Sequence, residues 1–350
     1  MLFCKTNYVE LRRIILIDNK VDSFLRNLMS DRVPKETQKM VMGLSRWGKQ
    51  ALVNIYDNNS DFAKHAIIEE NVHRFAVDTS KHLKIYHYTK VGSLIKILSS
   101  GSFLISSSTL MNDPDEFKWA NKIGKEYLRK TGANESEVAA FQEMIDLQPF
   151  KDSYIWSFTK NDDSLTLYNV YGLNEQNIKE GVALEFDLNT VMHTLASQNA
   201  NGKNSLDEFE DGDAYTFPIQ VQYDENLQKE YVNPIVEEWL YAYRSCMDDP
   251  NDMHEIMVLC AKAMYLFNMA FKNPDLCHEE ELRFVTVKIG DNVNKLNASY
   301  SPRIRCKITK EFILSAKLQT GNYYSVADLK EILAKYGYNN VQVKQSRLPY

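Results

Sequence analysis

The order of apolar and polar positions changes character once along the chain, near residue 84. Before that point apolar residues recur at helical spacing. Leu16, Val21, Phe24, Leu25 and Leu28 form one run, and a second passes from Val33-Pro34 through Met40, Met42, Leu44 and Leu52. A third run covers residues 62–77, behind a polar break at 57–61 in which Ser60 or Asp61 caps the next helix. No good strand candidate interrupts these runs, so residues 1–80 read as a helical accessory segment.

From Lys84 onward short strand-like runs alternate with helical ones. Residues 85–89 read as a strand, Leu94, Ile95, Ile97 and Leu98 as a helix ending at Gly101, and residues 103–105 as a second strand. Asp113-Pro114-Asp115-Glu116 opens another helix, with an acidic cap, Pro at the first position and Glu at the third. Strands follow at 153–158 and 181–186, separated by a polar, Asn-rich connector, and at 217–223. Two long helical patterns occupy 226–246 and 252–271. Strand character returns at 281–287, 303–308 and 312–316, and a helix over 326–336 and a strand at 341–343 close the chain. The pattern predicts an α+β fold, a short-stranded mixed sheet with several helices, without regular βαβ alternation or internal repeats. It divides into a helical segment, 1–80, and an α+β domain, 84–350.

Composition changes this picture little. With 350 residues, 44% hydrophobic and 25% charged, the chain is neither disordered nor collagen-like. The net charge of −6 argues against indiscriminate coating of polyanions. That mean hides an asymmetry: residues 201–260 hold 3 basic and 14 acidic side chains, and residues 301–350 hold 9 basic and 3 acidic. The five cysteines, Cys4, Cys246, Cys260, Cys277 and Cys306, include no CxxC pair, so neither a zinc site nor a disulfide framework is expected. No apolar run reaches the ~20 residues of a membrane span and no signal peptide is recognisable, which predicts a cytoplasmic protein without membrane contact.

Four constellations can carry chemistry. In Tyr86-His87-Tyr88-Thr89, strand alternation puts His87 and Thr89 on one face, suited to a ribose hydroxyl or a carbonyl, although the segment alone favours a hydrogen-bonded structural histidine. The capping logic of Asn112-Asp113-Pro114-Asp115-Glu116 accounts for that segment structurally. In Trp156-Ser157-Phe158-Thr159 the polar Ser157 and Thr159 share a strand face, and downstream Tyr168 and Tyr171 line one face of a helical turn. Such aromatic stripes serve cores more often than cofactor platforms. In Glu279-Glu280-Glu281-Leu282-Arg283, alternation gathers Glu279, Glu281 and Arg283 on one side. That arrangement means an ion pair at a sheet edge, or a carboxylate set against developing positive charge on a sugar ring.

Other templates fail. GxGxxG, GxSxG and HExxH are absent, and Gly43, Gly48 and Lys49 have P-loop spacing with Gln50 where Ser or Thr should hold magnesium.

Taken in order, Tyr86–Thr89 (YHYT), Asn112–Glu116 (NDPxE), Ser157–Thr159 (SFT), Tyr171-Gly172, residues 181–187, Glu279–Arg283 (ExExR), residues 313–318 and residues 346–350 resemble the motif series of an uncharacterised bacterial domain family. Where that family often has Trp and Arg before the Tyr-Gly, this chain has Tyr168 and Asn169, so no role for that pair carries over. The opening H-x-T, helix and glycine are also loosely similar to ADP-ribosyltransferase-like toxins and RNA-modifying enzymes. That resemblance implies an ADP-ribosyltransferase-like core with NAD as substrate. His87 would then bind ribose with Thr89 and Ser157 beside it, Tyr168 or Tyr171 would stack on nicotinamide, and Glu281 would be the catalytic carboxylate with Glu279 assisting. It further implies an effector acting on a nucleic-acid or protein acceptor, in phage defence or with an antitoxin partner. Two other readings stand beside it: a non-catalytic sensor or interaction module of a defence system, and a nuclease whose Glu279 and Glu281 hold a divalent metal.

Overall fold

The computed structural model describes residues 19–29, 33–81, 83–111, 116–146, 153–200, 203, 208–245, 250–289 and 303–349. Leu16, Cys4, Cys246, Tyr350 and the helix opening at Asn112-Asp113-Pro114-Asp115 lie outside these residues. Among the described residues no helix is long and apolar enough to cross a membrane. The protein is α+β, and it divides into two compact units, each assembled from three stretches of chain.

One unit gathers residues 1–71, 118–148 and 224–269, and its described part is helical. The second periodic run of the sequence is two helices, Lys35–Gly43 and Arg46–Tyr56, because the Ser45 hydroxyl accepts from the Gly48 amide (3.2 Å) and starts a new helix. Gly48 and Lys49 therefore sit inside a helix, where Lys49 pairs with Asp22 at 3.0 Å; no phosphate loop forms there. Ser60, rather than Asp61, caps the helix Asp61–Ala66 by accepting from the Ala63 amide. The long helices Glu225–Ser245 and Pro250–Ala270 fall in this unit, apart from the last residue of the second. Trp239 is fully buried there, against the Phe141 and Tyr243 rings at 5.1 Å. The first helices thus share a unit with helices more than 150 residues downstream, so the two units do not divide at a single point near residue 80.

The other unit, residues 72–117, 149–223 and 270–350, carries a nine-stranded sheet. Its strands are β1 (Lys84–Lys90), β2 (Ser102–Ser107), β3 (Ser153–Thr159), β4 (Gly181–Asp187), β5 (Ala214–Gln220), β6 (Glu281–Lys288), β7 (Arg303–Lys307), β8 (Ser315–Leu318) and β9 (Gln342–Gln345). Their order is β5-β6-β3-β1-β4-β8-β9, with β2 paired to both β3 and β7; all pairs are antiparallel except β8 with β9.

Burial explains which strands were legible as alternating. β3, β4 and β6 are covered on both faces and read as nearly continuous buried runs. On one face Trp156, Phe158, Leu184, Phe186 and Phe284 join the core beneath the helices Val91–Ser100, Leu188–Asn199 and Val326–Lys335. On the other, Tyr88 and Ala183 pack with Leu167 and Tyr168 of the helix Leu165–Tyr171. β7 alternates throughout and β2 from Phe103 onward, because that face of the ribbon is open at Leu104, Ser106, Arg303 and Lys307. The helix Leu188–Asn199 is an element that the strand-centred reading of this region did not contain. It starts where the Asp187 carboxylate accepts from the Thr190 amide at 2.9 Å. The closing strand after Phe312 begins at Ser315, because Phe312 and Ile313 turn into the core before pairing starts.

Candidate active site

The sheet forks at β3. One edge of β3 pairs with β6 along its whole length, from Ser153 opposite Val287 to Thr159 opposite Glu281. On the opposite edge β1 meets only Thr159, through Tyr86, while β2 meets only Ile155 and Tyr154, through Ser106 and Ser107. Residues 156–158 have no strand partner on that side. The His87 ring occupies the gap: its Nδ1 lies 3.0 Å from the Ser157 carbonyl and supplies the hydrogen bond a neighbouring strand would have given.

A cavity of about 740 Å³ opens at this fork, within the range of small-molecule pockets. His87, Thr89, Ser157, Tyr171, Glu279 and Glu281 all line it. Tyr168 does not: it is fully buried, its hydroxyl donates to the Lys317 carbonyl (3.1 Å), and its ring packs on Tyr88 at 4.9 Å. Of the two tyrosines, Tyr171 is the one at the cavity, 37% exposed.

The helix carrying Tyr171 is placed by local chemistry. Ser164 caps it, accepting from the Leu167 amide at 3.3 Å. The Tyr88 hydroxyl accepts from the Ser164 amide (2.8 Å) and donates to the Asn161 carbonyl (3.0 Å), tying the loop before the helix to β1. Gly172 ends the helix against Gly181, where an added Cβ would come within 2.6 Å of the Gly181 Cα and 2.5 Å of the Tyr168 carbonyl. The Tyr-Gly pair is therefore half cavity wall and half close backbone contact. The role of Thr159 is structural, since its hydroxyl accepts from the Asn161 amide at 3.0 Å.

His87 is half-buried, and burial lowers its pKa, only partly opposed by the bond to Ser157. It is therefore a neutral imidazole near pH 7. With Nδ1–H donating to a carbonyl, Nε2 carries the lone pair and acts as an acceptor, the tautomer that receives a hydroxyl proton. The Ser157 hydroxyl oxygen is buried without a hydrogen bond of normal geometry among the described residues, although it stands near enough to Glu281 to help hold that carboxylate's charge.

The acidic wall is a quartet. Arg283, fully buried and 5.0 Å above the Phe117 ring, grips Glu281 with two bonds: Nε to Oε1 and Nη2 to Oε2, both 2.9 Å. Lys272 Nζ bridges the two carboxylates, 2.5 Å from Glu279 Oε2 and 3.1 Å from Glu281 Oε2. Burial pushes Glu281 up, but the Arg283 and Lys272 charges outweigh it and hold the carboxyl well below its usual range. The Glu281 amide donates to the Tyr223 hydroxyl (3.1 Å), and its carbonyl accepts from the Gln220 side chain (2.9 Å), so backbone and side chain are both fixed. Between the two acids Glu280 adopts a left-handed conformation, φ 46°, rare for a residue with a Cβ. That reversal carries the chain from the short helix Pro274–Glu279 into β6 and lets both carboxylates meet Lys272. The ion pair expected at Arg283 is present, but on a central strand between β3 and β5 rather than at a sheet edge.

Sequence motifs did not signal Lys272, which has no pattern of its own; a lysine directly after the apolar run Met269-Ala270-Phe271 was the available clue. Compared with family models, with curated proteins and with solved structures, the chain shows no significant match to any of them.

Proposed function

We propose that the fork cavity binds NAD and that the protein transfers ADP-ribose from it to a macromolecular acceptor. The observation that carries this reading is the convergence of six side chains, from three of the four sequence constellations, on one cavity of about 740 Å³. His87 Nε2 accepts from a ribose hydroxyl, the Tyr171 ring stacks on nicotinamide, and the Ser157 hydroxyl, beside Glu281, lines the same cavity. In the reaction the bond between nicotinamide nitrogen and ribose C1′ breaks, its electron pair leaving with neutral nicotinamide. The C1′ cation is attacked by an acceptor oxygen or nitrogen, whose proton passes to a carboxylate or to water. Both Glu281 oxygens are engaged by Arg283 and Lys272, whereas one Glu279 oxygen has no partner among the described residues. Glu279 is thus the carboxylate that receives the proton, and Glu281 supplies fixed negative charge beside it.

The charge balance of the quartet favours one other reading, a binding module in which these acids serve only as structural ion pairs. Purified protein incubated with labelled NAD and cell lysate separates the two. Transfer of label or release of nicotinamide, lost in E279Q and in Y171A, supports the transferase. Neither product, together with no NAD-induced shift in melting temperature, overturns it.

A further inference from the structure

The ribbon formed by β2 and β7 has chemistry that the cavity does not use. β7 alternates strictly, with Ile304 and Cys306 in the core and Arg303, Arg305 and Lys307 on the opposite face. The antiparallel register sets these opposite Ser106, Leu104 and Ser102 of β2. Arg303 Nε and Arg305 Nη1 lie 3.4 Å from the hydroxyls of Ser106 and Ser102, so the basic and hydroxyl side chains share one face. Ser106 pairs across to Ile155, and Ile155 shares its face of β3 with Ser157 and Thr159, the latter opposite Glu281. The basic stripe is therefore continuous with the sheet face that carries Ser157 and Glu281. Ser102, Leu104 and Ser106 line the cavity directly, as does the exposed Lys96.

Spacing and surroundings suit one kind of polyanion. Side chains two apart on a strand stand roughly 6.8 Å apart, on the order of the separation of successive phosphates in an extended strand. Arg303 and Lys307 are exposed and form no ion pair with a described acidic residue. Leu104, opposite Arg305 on the ribbon, lines the cavity and is 50% exposed, and Leu110, 41% exposed, lines it too. Phosphate-spaced cations beside exposed apolar side chains suit an unpaired base on a sugar–phosphate strand. An acidic protein would need the cations but not exposed apolar side chains for a base to cover.

We infer that the acceptor is a single-stranded nucleic acid, its phosphates held along Arg303, Arg305 and Lys307 and its reacting nucleotide directed into the fork cavity. The inference rests on the transferase reading for what happens in the cavity, but the binding surface is separable from it.

The test uses the full chain and fluorescently labelled ribo- and deoxyribo-oligonucleotides of ~20 residues, single-stranded and as duplexes, read by anisotropy across a salt series. Three phosphate contacts predict a slope of about −2 in log affinity against log salt, so a fourfold rise in salt weakens binding about 20-fold. The double variant R303Q/K307Q, altered only at exposed positions, should lower that slope in magnitude by about 1.4 while leaving nicotinamide release from NAD unchanged. Duplexes should bind more weakly than either single strand, and whichever of RNA and DNA accepts label is the substrate. No binding at low salt, an unchanged slope in R303Q/K307Q, or equal displacement by polyglutamate overturns the inference. Oligonucleotide binding without NAD turnover would instead count against the transferase reading and leave the surface standing.

Discussion

Removing Lys272 tests whether the acidic wall is held by opposite charge. Its ammonium sits 2.5 Å from Glu279 and 3.1 Å from Glu281, and only 9% of the side chain is exposed. K272M keeps the aliphatic stem and deletes the charge, leaving two carboxylates facing one guanidinium. At 3.1 Å and an effective dielectric of about 20, one such pair is worth roughly 5 kcal/mol before desolvation is subtracted. Deleting one partner of a buried pair typically costs about 3–5 kcal/mol. Glu279 keeps some solvent contact and can turn outward, so the lower end, about 3 kcal/mol, applies. For a unit of this size that lowers the melting temperature by about 6–12 °C. E279Q in the same chain restores neutrality, and the double variant K272M/E279Q should recover about 2 kcal/mol of the loss. Because the chain has two units, the assay should follow hydrogen exchange of β6 amides alongside thermal melting. Acid sensitivity supplies the sign. A carboxylate held below its unfolded value stabilises above that value and loses the effect as pH falls through the folded one. With Lys272 gone, Glu281 is less depressed and acid unfolding begins at higher pH. If K272M costs under 1 kcal/mol, or E279Q adds its own full penalty, the carboxylates are not positioned by Lys272 and the quartet is not an energetic unit.

Two further outcomes follow from the same reasoning. Glu238 in the helical unit is fully buried with a single bond to Asn54 (2.6 Å), and burial, set against that bond, pushes its pKa up to about 8. The folded protein keeps a proton that the unfolded chain releases above about 4.5, so stability falls as pH rises from 4.5 through 8; E238Q should be flat over that range and more stable by about 5 kcal/mol at pH 9 in chemical denaturation. G172A forces a Cβ onto the Tyr168 carbonyl and the Gly181 backbone, which cannot yield as a side chain would; it should cost about 2–3 kcal/mol in melting experiments and, under the proposed transferase reading, weaken NAD binding by shifting Tyr171.

The parts of this architecture that depend on local chemistry were legible in the sequence. The helix after β1 ends at Gly101 because that residue takes φ 62°, and β3, β4 and β6 lie within a residue or two of their apolar runs. What was not legible depends on pairing between distant segments. The two long helices join the N-terminal ones in one unit, and amphipathic periodicity says that a helix has a buried face without saying which partner buries it. The helix Leu188–Asn199 follows β4 without a break, and its short apolar stripe, Leu188, Val191 and Leu195, is easily absorbed into the preceding strand.

The site shows the same division more sharply. Strand alternation correctly grouped His87 with Thr89 and Glu281 with Arg283, because period two is a property of the backbone alone. It could not show that His87 fills a gap where two strands part, since a fork is an absence of pairing and leaves no pattern in either strand. Tyr168 and Tyr171 illustrate the limit from the helical side. Three residues advance a helix by about 300°, so the two rings stand about 60° apart, close enough to share a face and far enough for one to be buried and the other to meet the cavity. Burial under Tyr88 and the bond to the Lys317 carbonyl decide between them, and both partners lie far away in the chain. Tyr168 thus falls on a core position, which leaves the cavity wall to Tyr171. Any test of stacking belongs there, with Tyr168 substitutions reading out stability instead.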